Sequence, residues 1–101
     1  MKRTIDEILY DIETFSPAEG DWRPLDCLFT ELWQYNLPTS VIPVLFRVFE
    51  RFPDEDGGGV LWSIVHGIES RNDYEDALRQ SLSRQQSHMG RIMFDRLMKS
   101  R

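Results

Sequence analysis

The chain holds a single cysteine, Cys27, among 101 residues, which excludes an intramolecular disulfide and any thiolate metal cluster. Such scarcity suits a reducing compartment, and Cys27 is expected to act as a small buried hydrophobe on a helix. No apolar run reaches the roughly 20 residues that cross a bilayer, and Met1-Lys2-Arg3 leads into an amphipathic pattern instead of a signal-peptide core. A cytoplasmic protein with no membrane partner is the expectation. Catalytic signatures are also missing. There is no nucleophile elbow, no zinc spacing of cysteines or histidines, and no phosphate loop with its lysine. Gly57-Gly58-Gly59 runs into Val60-Leu61-Trp62 with acids beside it, a poor cradle for an anion. No cofactor and no catalytic residue are expected.

What is present is a globular composition. At 41% hydrophobic and 12% aromatic, the chain has far more to bury than a disordered segment, and its length fits one domain over 1–101. Apolar residues recur at helical steps nearly throughout. Ile5, Ile8, Leu9, Ile12 and Phe15 follow Thr4 and Glu7, a capping box, and predict a helix over 5–15. Further helices are predicted over 24–35, 39–51, 60–69, 74–84 and 88–99, with Pro24 and Pro43 in first turns and Ser87 as a cap. The apolar stretch 60–68 could form a buried strand, but no other segment offers it a partner. The fold class is therefore all-α, with about six short helices in three antiparallel hairpins, arranged as a HEAT-like stack or a compact bundle.

Charge is unevenly spread. Residues 1–76 carry 16 acids against 6 bases, a balance of −10, whereas residues 77–101 carry 1 acid against 6 bases, a balance of +5. A largely acidic body repels nucleic acid and attracts basic proteins. The C-terminal bases lack the interleaved aromatics of a nucleic-acid binder and can instead pair with acids of the earlier helices. Asp54, Glu55 and Asp56 form one acidic group. Glu69, Asp73, Glu75 and Asp76 form another around the turn between the fourth and fifth helices, roughly 15 Å away along a ten-residue helix. The first group lacks the alternate-position ligands of a calcium loop. Trp22, Trp62 and Tyr74 lie among these carboxylates, a composition found at binding hot spots, although Trp22 and Trp62 could equally serve the core and Tyr74 falls on the inward stripe of the fifth helix. His66 and Glu69, three residues apart, share one helix face. They could brace a neighbouring helix, meet a partner, or, with further ligands, hold a metal.

The stretch Asp56-Gly57-Gly58-Gly59-Val60-Leu61-Trp62-Ser63-Ile64-Val65-His66-Gly67-Ile68-Glu69 resembles a signature of small bacterial immunity proteins that accompany polymorphic and contact-dependent growth-inhibition toxins. The continuation through Tyr74-Glu75-Asp76-Ala77-Leu78 to Met93-Phe94-Asp95-Arg96-Leu97-Met98 is similar to the same group, so the resemblance covers about residues 56–99. It implies a cytoplasmic, non-enzymatic protein that blocks a cognate toxin, often a nuclease with a basic face. Partner-binding residues expected from charge and aromatic placement are Trp22, Asp54, Glu55, Asp56, Trp62, His66, Glu69, Asp73, Tyr74, Glu75 and Asp76. The alternatives are a helical adaptor that binds a host peptide or protein in an exposed apolar groove, and a metal-dependent enzyme using His66 and Glu69.

Overall fold

A computed structural model describes residues 3–100; Met1, Lys2 and Arg101, which entered the leader reading or the charge balance above, lie outside them. Among the described residues the fold is all-helical: α1 (Ile5–Thr14), α2 (Arg23–Leu32), α3 (Ile42–Arg51), α4 (Val60–Glu69), α5 (Glu75–Arg84) and α6 (His88–Lys99). No strand forms there; the nearest approach is an isolated bridge between Ala18 and Asp21.

The local chemistry accounts for the ends of these helices. The Thr4 hydroxyl accepts the Glu7 N–H at 3.1 Å and the Glu7 carboxylate accepts the Thr4 N–H at 2.9 Å, which closes the capping box of α1. Helix α2 begins one residue before Pro24 and stops at Leu32, short of the predicted 35. Its last residues give way to a turn in which the Tyr35 N–H reaches only three residues back, to the Leu32 carbonyl. A short 3-10 turn, Thr39–Val41, leads into α3, whose second residue is Pro43; that missing N–H removes no helical bond. In α6 the Ser87 hydroxyl accepts the Gly90 N–H at 3.1 Å.

Packing places α1, α3 and α5 in one layer and α2, α4 and α6 in the other. Each helix touches its layer neighbour and its hairpin mate, and α3 also touches α6. Side chains fix the directions. Arg51, ending α3, donates to the carbonyls of Ile12 and Phe15 at the end of α1, and Arg84, ending α5, reaches Glu50 of α3. These three helices therefore run the same way. Arg96 of α6 meets Glu69 at the end of α4, Arg3 joins the start of α1 to Glu31 near the end of α2, and the His88 N–H donates to the Pro53 carbonyl at 2.7 Å. The second layer thus runs opposite to the first, as three stacked antiparallel hairpins require. The expected alternatives merge: the molecule is compact, and the stack is its internal order.

The core lies between the layers. Ile8, Ile12, Leu25, Phe29, Leu32, Leu45, Phe46, Phe49, Leu61, Ile64, Val65 and Ile68 are buried there, at roughly 1.5–3 kcal/mol for each large side chain removed from water. Ile8 and Ile12 belong to the predicted stripe of α1, and the others recur at helical steps along α2, α3 and α4. One expectation fails: Cys27 is exposed, not buried. The inward side of α2 is already filled by Leu25, Phe29 and Leu32, and Cys27 falls on the opposite side of the helix.

Candidate binding surfaces

The acidic loop before α4 is built, not slack. Gly57, Gly58 and Gly59 all take positive φ, at 62°, 60° and 96°, a conformation in which a side chain is strained. The Asp56 carboxylate accepts the Gly58 N–H at 3.0 Å, while its backbone carbonyl accepts the N–H groups of Gly59 and Leu61. Gly57 is buried, and a Cβ there would lie 3.0 Å from Leu61 Cγ and 3.2 Å from the Trp22 ring. Asp54, Glu55 and Asp56 are exposed on this frame, and none forms an ion pair among the described residues.

Trp22 stands beside that loop as the residue before α2. Its ring lies 5.8 Å from Phe15 and 5.0 Å from Phe52, edge-on to the latter at 82°. Half-buried, it plugs the end of the stack where α1 and α3 finish. Trp62 is also half-buried and packs on the core from α4, with the exposed His66 ring 6.1 Å away, one turn further on.

The second acidic group sits at the other end of α4 and is largely compensated. Glu69 is paired with Arg96 at 3.0 Å. Asp73 receives two bonds from Arg71, at 2.8 and 2.6 Å, and one from the Thr39 hydroxyl; the Arg71 guanidinium foremost, then Thr39, holds its carboxyl well below the usual carboxylate range. Glu75 binds Arg79 one turn along α5, and Asp76 is exposed. Tyr74 is half-buried, and burial, then the nearby Glu69 charge, push its hydroxyl pKa up. The predicted site residues therefore divide into two ends joined by the outer face of α4. Trp22 lies with residues 54–56, Tyr74 with residues 69–76, and Trp62 and His66 stand between them. They do not converge on one patch. His66 and Glu69 also part company, since Glu69 braces α6 while His66 faces solvent. Among the described residues no group of three or more His, Cys, Asp or Glu is placed to hold a metal ion.

Two features escaped sequence reasoning. Tyr10 on α1 is 66% exposed, the exposed large hydrophobic among the described residues, and it shares a shallow surface depression with Asp6, Glu7 and Asp11. Its signal was available, because Tyr10 falls off the stripe Ile5, Ile8, Leu9, Ile12 amid four acids. The other is a groove between α2 and α4, which meet closely at Gly67: a Cβ on that residue would overlap the six-membered ring of Trp33. The glycine of the His66-Gly67 pair is thus a packing requirement, and it sets His66 at the groove's edge. No periodicity reveals a groove that depends on two distant segments. No protein family matches the chain, and no curated protein or solved structure matches it either.

Proposed function

We propose that this protein is an immunity-type inhibitor, non-catalytic, which binds a basic toxin domain in the cytoplasm and covers the surface that domain uses to grip an anionic substrate. The observation that carries the reading is the contrast between the two acidic groups. Arginines of the same chain neutralise Glu69, Asp73 and Glu75, whereas Asp54, Glu55 and Asp56 face solvent on a fixed loop without such partners. Fixed, uncompensated carboxylates steer a cationic partner and speed its approach. Exposed charge pairs contribute only about 0–1 kcal/mol each, so affinity rests on the partly exposed aromatic surface of Trp22 beside the loop and of Trp62 on α4. The resemblance of residues 56–99 to immunity proteins supports the same reading. The adaptor alternative requires an exposed apolar groove, and exposed large hydrophobics among the described residues come down to Tyr10.

The test is binding and growth protection against a basic toxin domain, sought first among the genes adjacent to this chain's own. Asp54→Lys and Glu55→Lys should be combined with Asp56→Asn, because Asp56 also caps the glycine turn and asparagine keeps an acceptor there. The expected result is slower association, most marked at low salt, with an unchanged urea midpoint. Unchanged association at every ionic strength removes the loop from the interface, and failure to bind or protect at all ends the proposal.

A further inference from the structure

Among the described residues every positive φ falls in two loops at one end of the stack, the end where α1 and α3 finish. One loop holds Gly57, Gly58 and Gly59. The other, between α1 and α2, makes a tight turn with Glu19 at 54° and Gly20 at 77°, closed by the Asp21 N–H on the Ala18 carbonyl at 3.0 Å. A turn with two left-handed central residues takes asparagine, aspartate or glycine at the first of them. Glutamate there is strained. The molecule makes no use of that side chain: Glu19 is exposed and enters no ion pair or hydrogen bond among the described residues. Strain that the fold does not use points to a contact outside it.

The two loops form one surface. Trp22 directly follows Asp21, and a Cβ on Gly57 would lie 3.2 Å from its ring, so the turn at Glu19 and the acids at 54–56 flank the same indole. Phe15 and Phe52, with rings 5.8 and 5.0 Å from that of Trp22, widen the apolar ground between the loops, and all three rings are half-buried. The arginines at this end are already engaged. Arg23 holds Asp21 at 2.9 Å, Arg84 holds Glu50, and Arg51 binds the Ile12 and Phe15 carbonyls and lies over the Phe52 ring. Glu19, Asp54, Glu55 and Asp56 therefore carry the uncompensated charge around the aromatic ground.

We propose that this loop end is the docking face, and that it takes a basic segment of a protein partner with an apolar residue between its cations. The apolar residue lies on Trp22, one cation meets Glu19, and another meets the acids at 54–56. That the partner is a toxin rests on the reading above, which is narrowed here: the approach is end-on, through the loops, and the far end of α4 stays outside the contact.

Two substitutions at one position separate charge from strain. Glu19→Asn completes the Asn-Gly pair that such turns favour, whereas Glu19→Gln removes the charge and keeps the strain. The urea midpoint should rise in Glu19→Asn and stay in place in Glu19→Gln. Both should bind the toxin domain roughly two- to fivefold more weakly, the loss of one exposed charge pair, and the difference should shrink at high salt. Full affinity in both, when the loop variant has lost it, overturns the docking face and leaves the inhibitor reading intact. A midpoint unmoved or lowered in Glu19→Asn removes the strain, and with it the ground for placing Glu19 in the contact. N-acetyl-Lys-Leu-Lys amide, titrated into isotope-labelled protein with N-acetyl-Gln-Leu-Gln amide as the neutral control, probes the face without any toxin. Shifts confined to the Trp22 indole and to residues 16–22 and 52–59, given by the lysine peptide alone, are expected. Absent or scattered shifts, or equal shifts with the glutamine peptide, overturn the docking face. Localised shifts with the lysine peptide and no toxin binding by the unaltered protein support the face and sink the inhibitor reading.

Discussion

Gly67 shows how a single missing side chain sets a surface. The α2–α4 approach depends on the Trp33 ring lying where a Cβ would be. Gly67→Ala should therefore destabilise the fold by roughly 1–3 kcal/mol through overpacking, despite alanine's better helix propensity. Trp33→Phe in the same chain should recover part of the loss, and urea unfolding measures both. Gly58 provides the contrast. Nothing lies within 4 Å of its would-be Cβ, but its φ is +60°, so Gly58→Ala should cost only the roughly 1–2 kcal/mol of left-handed strain. Single residues were the level at which the sequence was hardest to read. The exposure of Cys27 and Tyr10 follows from helix rotation, which the apolar stripes of α1 and α2 contain, yet the burial of Trp22 depends on Phe52 and Gly57, both more than two dozen residues away. Distance along the chain hides such contacts from any local pattern.

At the scale of the elements, ion pairs stitch helices whose apolar faces already meet. Glu50 on α3 is the densest of these ties, accepting from the buried Ser81 hydroxyl at 2.8 Å and from Arg84 at 3.1 and 2.9 Å. Partial burial works against its charge, but the Arg84 and Ser81 bonds outweigh that and leave its pKa lowered. Glu50→Ala would leave the Ser81 hydroxyl buried without its partner, at a cost of roughly 1–3 kcal/mol, read as a lower urea midpoint. Acid should act on the same ties. Glu50 and Asp73 both hold folded-state pKa values below their ordinary 4.5 and 3.8. Their contribution is therefore present above those values and is lost as pH falls through them toward the folded pKa. The urea midpoint should drop between about pH 5 and pH 3, and the drop should flatten in Glu50→Gln with Asp73→Asn. The elements themselves were legible, since every predicted helix forms within a few residues. Helical periodicity, prolines in first turns and capping residues are local signals, and local signals survive in one dimension. The pairing of C-terminal arginines with earlier acids was also anticipated, and Arg84–Glu50 and Arg96–Glu69 make it.

For the whole molecule, the contrast between an acidic body and a basic C-terminal quarter is much reduced on folding. The layers bring Arg84 and Arg96 against Glu50 and Glu69, so linear charge overstates the polarity of the surface. What the sequence could not supply was which carboxylates would be left over, because that depends on which helices become neighbours. The two acidic groups do stay a helix length apart, as their positions at either end of α4 require, with Trp62 and His66 on the helix between them. Within that geometry, association with a basic partner should lose most of its salt dependence when Asp54 and Glu55 are reversed, since the Debye length near 8 Å at physiological ionic strength screens charges further from the contact; stopped-flow mixing over a salt series reads this directly. The opposed layers have one more outcome. Three helices point each way, so their peptide dipoles, each equivalent to about half a charge at either terminus, oppose one another three against three. The backbone then adds little to the field felt at a distance. Long-range polarity is left to side chains, which substitution can redraw while the scaffold stays as it is.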